Sequence, residues 1–365
     1  MVPNLRFLKF NQNYETLQLK NTLKIKSGKD QKQVEVENGI YNIYGTGGII
    51  GHTNTFLYDK ESVGIGRKGT IDKPVYFDQP FWTVDTLFYS EIYEGFIPKY
   101  IFYLFQTINW KKYNTSTGVP ILTSSSIENI EKSFPCYDEQ LKVANFLTMI
   151  DMRIETQIKI IELKQSLIKD IEDRILWKTT NTQTKPIREF LTEINNKSII
   201  QNQYPLLSST KKGLFLQTDY FNKEAASSNN IGYKIVHKGD IIISPQNLWM
   251  GNITYNDKFD NGLVSPSYRI YKVKEEYNAF YISRILMSYR ALSLYKNISE
   301  QGASIVRRNL NVDAFNELCF PIPNIKKQDE VGLFLSKLHQ ELKCETWILM
   351  QLKSQKNYLL NNMFI

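Results

Sequence analysis

Forty-one residues from Asp138 to Lys178 run without a glycine or a proline and carry an apolar side chain at every seventh position. Leu147, Ile154, Ile161, Ile168 and Ile175 form the series, with Val143, Ile150, Ile158 and Ile171 at adjoining positions and mostly Lys, Glu, Asp and Gln elsewhere. Residues seven apart share one face of a helix, so the stretch predicts a single amphipathic helix of roughly 60 Å. Such a stripe needs a partner to cover it. Gln328 to Ile365 is again helical in pattern, with Leu335, Leu342 and Leu349 seven apart, although Gly332, Cys344 and Lys356 weaken the stripe. An offset of 188 residues carries Leu147 to Leu335, and also Pro135 to Pro323, Gln140 to Gln328, Val143 to Val331 and Phe146 to Phe334. The two helices are copies of one element.

Heptads alone would equally describe a coiled coil between two chains, but each helix here closes a larger repeated plan. In residues 1–40, Leu17, Leu19, Leu23 and Ile25 lead to Ser27 and Gly28, reading as a short helix and then a strand or turn. Residues 41–137 are dense in Gly, Thr, Tyr, Phe and β-branched residues, which is strand and turn composition. Within them, Ile97 to Tyr113 reads as an amphipathic helix with Pro98 in its first turn. A polar loop, a short segment and Pro135 precede the long helix. After the polar linker KTTNTQTK the plan restarts, with strand and turn segments up to Val273, an amphipathic helix over Ala279 to Ile298, and the same loop, segment and proline before the second helix. The globular parts share plan more than sequence, whereas the helices share sequence.

With 365 residues, 42% apolar and 13% aromatic, the chain has room for two or three folded domains. A net charge of +8 and a pI near 9.0 favour a polyanionic partner. Cys136, Cys319 and Cys344 stand apart, as do His52, His237 and His339, so neither a disulfide framework nor a zinc site is readable. The first residues lack the apolar core of a signal peptide and no run is long enough to span a membrane. The expectation is a reducing cytoplasm and no membrane partner.

No catalytic constellation emerges. GTGG at Gly45 to Gly48 lacks the Gly-Lys-Ser/Thr of a phosphate loop and reads as a tight turn. SPQN at Ser244 and SPSY at Ser265 lack the paired prolines of an amino-methyltransferase motif and read as strand ends and turns. Candidate binding residues are better represented. Arg67 and Lys68 sit between glycines in a turn, with Thr70 and Lys73 close by; Arg offers the fork that reads guanine, and Lys suits phosphate. The corresponding stretch of the second unit offers Gln246 and Asn247 for adenine edges and Trp249 for stacking, although an ordinary core Trp beside a polar turn fits equally. Ser208, Ser209, Thr210, Lys211 and Lys212 form a polar basic loop placed like Gly45, Thr46 and Gly47, and Arg307, Arg308 and Asn309 form another. Any one of these suits a solvated surface. Their recurrence at the same stations in both units favours binding.

The chain resembles the specificity subunits of type I restriction-modification systems. The likeness rests on PNLRF followed by LQLKNTLKIKSGK, on YNIYGTGGIIGHTN and SVGIGRKGTIDKPVYF, on YKIVHKGDIIISPQNLWMGNITY and GLVSPSYRIYKV, and on FPCYDEQLKVANFLTMID and IPNIKKQDEVGLFLSKL entering the helices. It spans essentially the whole length. The resemblance implies an α+β fold, a tandem pseudo-two-fold repeat of two mixed α/β target-recognition domains joined by two long antiparallel coiled-coil helices. The corresponding divisions are residues 1–137 and 181–323 for the recognition domains and 138–180 and 324–365 for the spacer helices. It further implies a non-catalytic, sequence-specific subunit bound to double-stranded DNA, each domain reading one half of a split asymmetric target. The paired helices, with the Leu147 and Leu335 series as the helix and subunit interface, would set the gap, the apolar surface left on helices and globules would dock two methylation subunits, and two restriction subunits would complete the assembly. No cofactor belongs to this chain on that reading; S-adenosylmethionine serves the methylation subunit, and ATP and Mg the restriction subunit. From the residues alone, a single-chain nuclease or methyltransferase with an unrecognised site and a coiled-coil scaffold stay open as alternatives.

Overall fold

The computed structural model of the chain describes residues 2–211, 213–220, 229–301 and 308–365, which fall into two compact units. Met1–Lys159 with Trp347–Ile365 form the first, and Ile160–Thr346 the second.

The first unit opens with strands β1 (Glu15–Gln18) and β2 (Leu23–Ser27), then β3 (Tyr41–Gly45), β4 (Gly48–Thr53) and β5 (Ser62–Gly66). Strands β6 (Val75–Phe77), β7 (Trp82–Thr83) and β8 (Leu87–Ile92) follow. One sheet is antiparallel in the order β2-β8-β5-β6; a second, β4-β3-β7, pairs β3 antiparallel with β4 and parallel with β7. All five residues of β5 are buried, as befits a central strand covered on both faces. Helix α1 (Pro98–Thr107) lays Ile101, Leu104 and Phe105 on Leu23, Ile25, Val63 and Ile65. It stops six residues before Tyr113, where the sequence predicts its end. The indole of buried Trp110 donates to Phe105 O at 2.9 Å, taking a carbonyl the next helical turn would use, and Ile108 is already extended. Helix α2 (Ser124–Glu128) starts from a Thr123–Ser126 capping box. Strand β9 (Glu131–Phe134) then returns to pair with β1, Glu15 opposite Phe134. The long helix α3 (Tyr137–Lys178) begins here, and its Val143, Ala144, Leu147 and Ile150 share a core with Leu359, Leu360, Met363 and Phe364 at the end of the chain.

The second unit begins with β10 (Gln183–Pro186), α4 (Ile187–Phe190), β11 (Leu191–Ile194), β12 (Leu207–Thr210), β13 (Gly213–Leu216) and α5 (Gln217–Tyr220). Next come β14 (Lys234–His237), β15 (Ile241–Ile243), β16 (Ile253–Tyr255), β17 (Asn261–Val264) and β18 (Arg269–Val273). Its four-stranded sheet, β11-β18-β15-β16, has the same order of roles as β2-β8-β5-β6. The amphipathic stretch from Ala279 is two helices, α6 (Ala279–Leu286) and α7 (Tyr289–Asn297), where the sequence predicts one. Ser288 makes the break: its hydroxyl caps α7 through the Ala291 amide, donates to Ile285 O at 2.7 Å and accepts from the Trp177 indole at 2.9 Å. Strands β19 (Ser299–Gln301) and β20 (Arg308–Leu310), helix α8 (Val312–Glu317) and strand β21 (Cys319–Ile322) lead to α9 (Ile325–Met363). β21 pairs with β10, Gln183 opposite Ile322.

The residues that repeat between the two helices do the same work in each unit. Gln140 donates to Pro135 O at 3.1 Å and accepts the Ile97 amide at the start of α1; Gln328 donates to Pro323 O at 2.8 Å and accepts the Asn278 amide at the start of α6. Gly332 leaves room for that cap, since a Cβ there would stand 3.0 Å from Asn278 Oδ1. Along α3, Leu147, Ile161 and Ile168 are buried and Ile154 is half-buried, but near the end Leu176 takes the buried place and Ile175 only half of it. A straight helix drifts against a seven-residue repeat, which moves the stripe on by one. On α9, Leu335 is buried while Leu342 and Leu349 are half-buried. Lys356, which breaks the second stripe, pairs with Asp151 at 2.6 Å, and the Tyr103 hydroxyl donates to the same carboxylate at 2.8 Å.

Candidate nucleic-acid interface

In the first unit, β5 ends at Gly66, where a Cβ would stand 1.9 Å from Thr70 O, so only glycine allows the tight Arg67–Thr70 turn that follows. Gly69 completes it at φ +92°. Neighbouring backbone clamps this turn: the Arg67 and Lys68 amides point at Thr86 O (2.8 and 3.3 Å), the Gly69 amide donates to Pro120 O, and Arg67 O accepts the Leu122 amide, the last two at 2.9 Å. The Arg67 and Lys68 side chains are left exposed on a fixed frame, with Arg67 lying 5.9 Å from the Phe88 ring and Thr70 half-buried. Gly45, Thr46 and Gly47 form the tip of the β3–β4 hairpin, the tight turn predicted for them. The Val84 amide donates to Tyr44 O at 3.0 Å, so the short segment Val84–Thr86 brings this hairpin and the Arg67 turn to one end of the unit.

In the second unit, the loop leaving β15 carries Gln246, exposed, and Asn247 and Trp249, both half-buried. Gly251, at φ +88°, turns the chain back to β16. The Arg308 guanidinium lies 4.4 Å from the Trp249 ring centroid, and the Arg308 amide donates to Gln246 O at 3.2 Å. The loop after the central strand is thus tied to the segment before a short helix, as Arg67 is tied to Leu122. Asn252 adds the third station: its amide donates to Asn247 O, and its side chain accepts the Ser209 hydroxyl, both at 3.1 Å.

Two expectations are corrected. Ser208, Ser209 and Thr210 are not a loop but strand β12, and Ser209 is buried, sharing a hydrogen bond with Thr254 at 2.8 Å; the polar pattern serves an internal network. Likewise Arg308 and Asn309 belong to β20, paired with β19. Lys211 is exposed at the β12–β13 turn. Lys212 and Arg307 lie outside the described residues. Asn252 was not singled out in the sequence, where nothing marks it as the tie between the hairpin and the loop.

A cluster on α3, α6 and α9 joins residues that no spacing in the sequence connects. Glu172 accepts from Arg284 at 2.6 and 2.8 Å and contacts His339 Nε2 at 2.8 Å. Burial pushes its carboxyl up, but the hydrogen bonds and charges of His339 and Arg284 outweigh burial and hold it below the usual carboxylate range. The cluster joins the globular part of the second unit to its helices.

The groups at the two sheet ends are exposed cations and an exposed amide, Arg67, Lys68, Lys211 and Gln246, beside half-buried hydroxyls and the half-buried Trp249 indole, a set that suits phosphates and base edges. Among the described residues no group of three His, Cys, Asp or Glu is placed to hold a metal ion, and no helix is long and apolar enough to cross a membrane.

Residues 11–165 match the family model of the type I restriction modification DNA specificity domain. The crystal structure of a type I restriction-modification system S subunit from M. genitalium aligns over 100% of this chain and 99% of its own, with a TM-score of 0.63 and 17% identity. A second structure, described as bearing on complex assembly and conformational transition of the type I R-M system, aligns over 96% of this chain and 97% of its own, with a TM-score of 0.57 and 10% identity. No curated protein matches the chain. At these identities the structural likeness is one of fold. Residues 11–165 are thus similar to the type I restriction modification DNA specificity domain, and along its whole length the chain shares the fold of the S subunit from M. genitalium.

Proposed function

We propose that each unit reads one block of a split, asymmetric double-stranded DNA target, and that α3 and α9, paired antiparallel as a ruler between pseudo-two-fold related recognition domains, set the unspecified gap. The observation that carries this reading is the shared architecture of the two loops: Arg67–Thr70 and Gln246–Trp249 both leave the third strand of a β-sheet of the same order, and both are tied by backbone hydrogen bonds to the segment ahead of α2 or α8. Arg67 and Gln246 are the base readers, while Lys68 and Lys211 meet phosphates. Because the two loops differ in sequence, the two blocks differ. Exposed apolar residues on the helices, such as Met149, Met152, Leu163, Trp347 and Met350, offer surface for two methylation subunits, to which two restriction subunits add. S-adenosylmethionine, ATP and Mg then act on those subunits, in the cytoplasm, in DNA methylation and defence against foreign DNA.

The test is to co-express the chain with its methylation subunit in a methylation-free host and map modified adenines by long-read sequencing. Two short defined blocks around an unspecified gap support the reading. A continuous motif, or a stable complex that leaves DNA unmodified, overturns it.

A further inference from the structure

Lys197 and Lys234 face each other across an antiparallel bridge in the second unit. The Ser198 amide donates to Tyr233 O at 2.8 Å and the Ile235 amide to Asn196 O at 2.9 Å, so the lysines occupy the position between these bonds. In that position the two Cα atoms stand about 4.5 Å apart and both side chains leave on the same face. Like charges so placed destabilise the pairing. Lys234 is only 9% exposed, and neither lysine has an ion pair among the described residues.

The surrounding polar groups hold this pair in place. Buried Ser198 donates to Asn230 O at 2.7 Å; buried Asn230 donates through Nδ2 to Asn202 Oδ1 at 2.6 Å and accepts the Asn202 amide at 2.7 Å. Asn202 adopts the left-handed conformation, φ +55°, to close the ring. Among the described residues the other charges acting on Lys234 are Arg269 and Glu193, which are bonded to one another, leaving three cations to one carboxylate. Burial lowers the Lys234 ammonium from its ordinary value; Glu193 opposes this, and Arg269 and Lys197 add to it.

Among the described residues, no anion pairs with the two ammonium groups around which this frame is built. We propose that Lys197 and Lys234 clamp one backbone phosphate of the DNA duplex. The location agrees: Arg269 is opposite Ile243, the last residue before the Gln246 loop, and the neighbouring Tyr268 hydroxyl donates to Ser209 O at 3.3 Å. A phosphate oxygen between two ammonium groups satisfies both and removes their repulsion. The clamp carries no sequence information; it fixes how the second unit sits on the duplex. This inference rests on the DNA-recognition reading above.

The experiment compares the complex of the full chain with its methylation subunits against Lys197→Gln, Lys234→Gln and the double variant, measuring duplex affinity over a salt series. Loss of one phosphate contact lowers the slope of log affinity against log salt by about 0.9, equally on target and unrelated duplexes. The methylated motif stays unchanged. Lys197 is exposed, so Lys197→Gln keeps the fold and reports without Lys234→Gln. Slopes equal to the parent's overturn the clamp while leaving DNA recognition standing. A parent complex with no salt-dependent duplex binding overturns both. A parallel melting series with inorganic phosphate at fixed ionic strength separates the sources: protection of the parent but not of Lys234→Gln, with unaltered DNA slopes, assigns the site to a free anion and overturns the duplex phosphate.

Discussion

Arg308 lies over the face of Trp249, its guanidinium carbon 4.4 Å from the ring centroid. A guanidinium stacked on an indole is held flat and aimed, at about 0.5–1 kcal/mol when exposed and about 2 when desolvated. Trp249→Leu removes that support while leaving Arg308 charged. We expect duplex affinity to fall between about two- and thirty-fold, with relaxed preference in one block of the methylated motif. Motif mapping checks this; an identical motif would show that the pair plays no part in readout.

Arg67 and Lys68 are neighbours with different expected roles. Arg67→Ala should relax one position of one block, and Gln246→Ala one position of the other. Lys68→Ala and Lys211→Ala should weaken binding on all sequences and reduce the salt slope by about 1 each. Competition binding with single-base variants of each block separates these outcomes.

Gly66→Ala should disrupt the Arg67 turn, because its Cβ would enter the space of Thr70 O. An overpacked site of this kind costs about 1–3 kcal/mol. Chemical denaturation should show the loss, and, with Arg67 as the proposed reader, binding specificity should fall in one block and not in the other.

Glu172 gives an acid-sensitive joint. Its folded carboxyl titrates below the unfolded value of about 4.3, so its contribution is complete above that value and is lost as pH falls through the folded one. Glu172→Gln leaves Arg284 largely buried without its carboxylate, at a cost on the order of 3–5 kcal/mol near neutral pH. The variant should also lose part of the parent's decline in stability as pH is lowered from about 5 toward 3. Urea midpoints measured across that range test both points.

Adding one helical turn to both α3 and α9, about 5.4 Å, should widen the gap in the methylated motif and leave both blocks unaltered. Sequencing of modified adenines gives the gap directly.

What could be read from the sequence was local or periodic. The absence of Gly and Pro over Asp138–Lys178 marks α3, Pro98 marks the start of α1, and GTGG marks a hairpin tip. The repeated proline and glutamine were visible as an offset; their reason, a glutamine bridging a helix entrance and a second helix start, was not. Where long-range partners decide, the pattern misled. Ser208 to Thr210 looks like a solvated loop because its partners, Asn252 and Thr254, lie more than forty residues on. The ends of α1 and α6 are set by Trp110 and Ser288 taking particular carbonyls, which no apolar period records. Arg308 and Trp249 were each singled out, but their stacking depends on the course of the chain between them.

The strands that open and close each globular part are paired, Glu15 with Phe134 and Gln183 with Ile322. Chain entry and exit therefore lie side by side on a four-residue stem, and the hundred or so residues between behave as a graft on that stem. A segment of different length between the stem strands adds little closure cost, since loop-closure entropy grows only slowly with length, as long as it keeps the bonds that tie Ile97 to Gln140 and Asn278 to Gln328. On the proposed reading, the variable part of the molecule is then bounded by two short seams, and the helices form the constant frame.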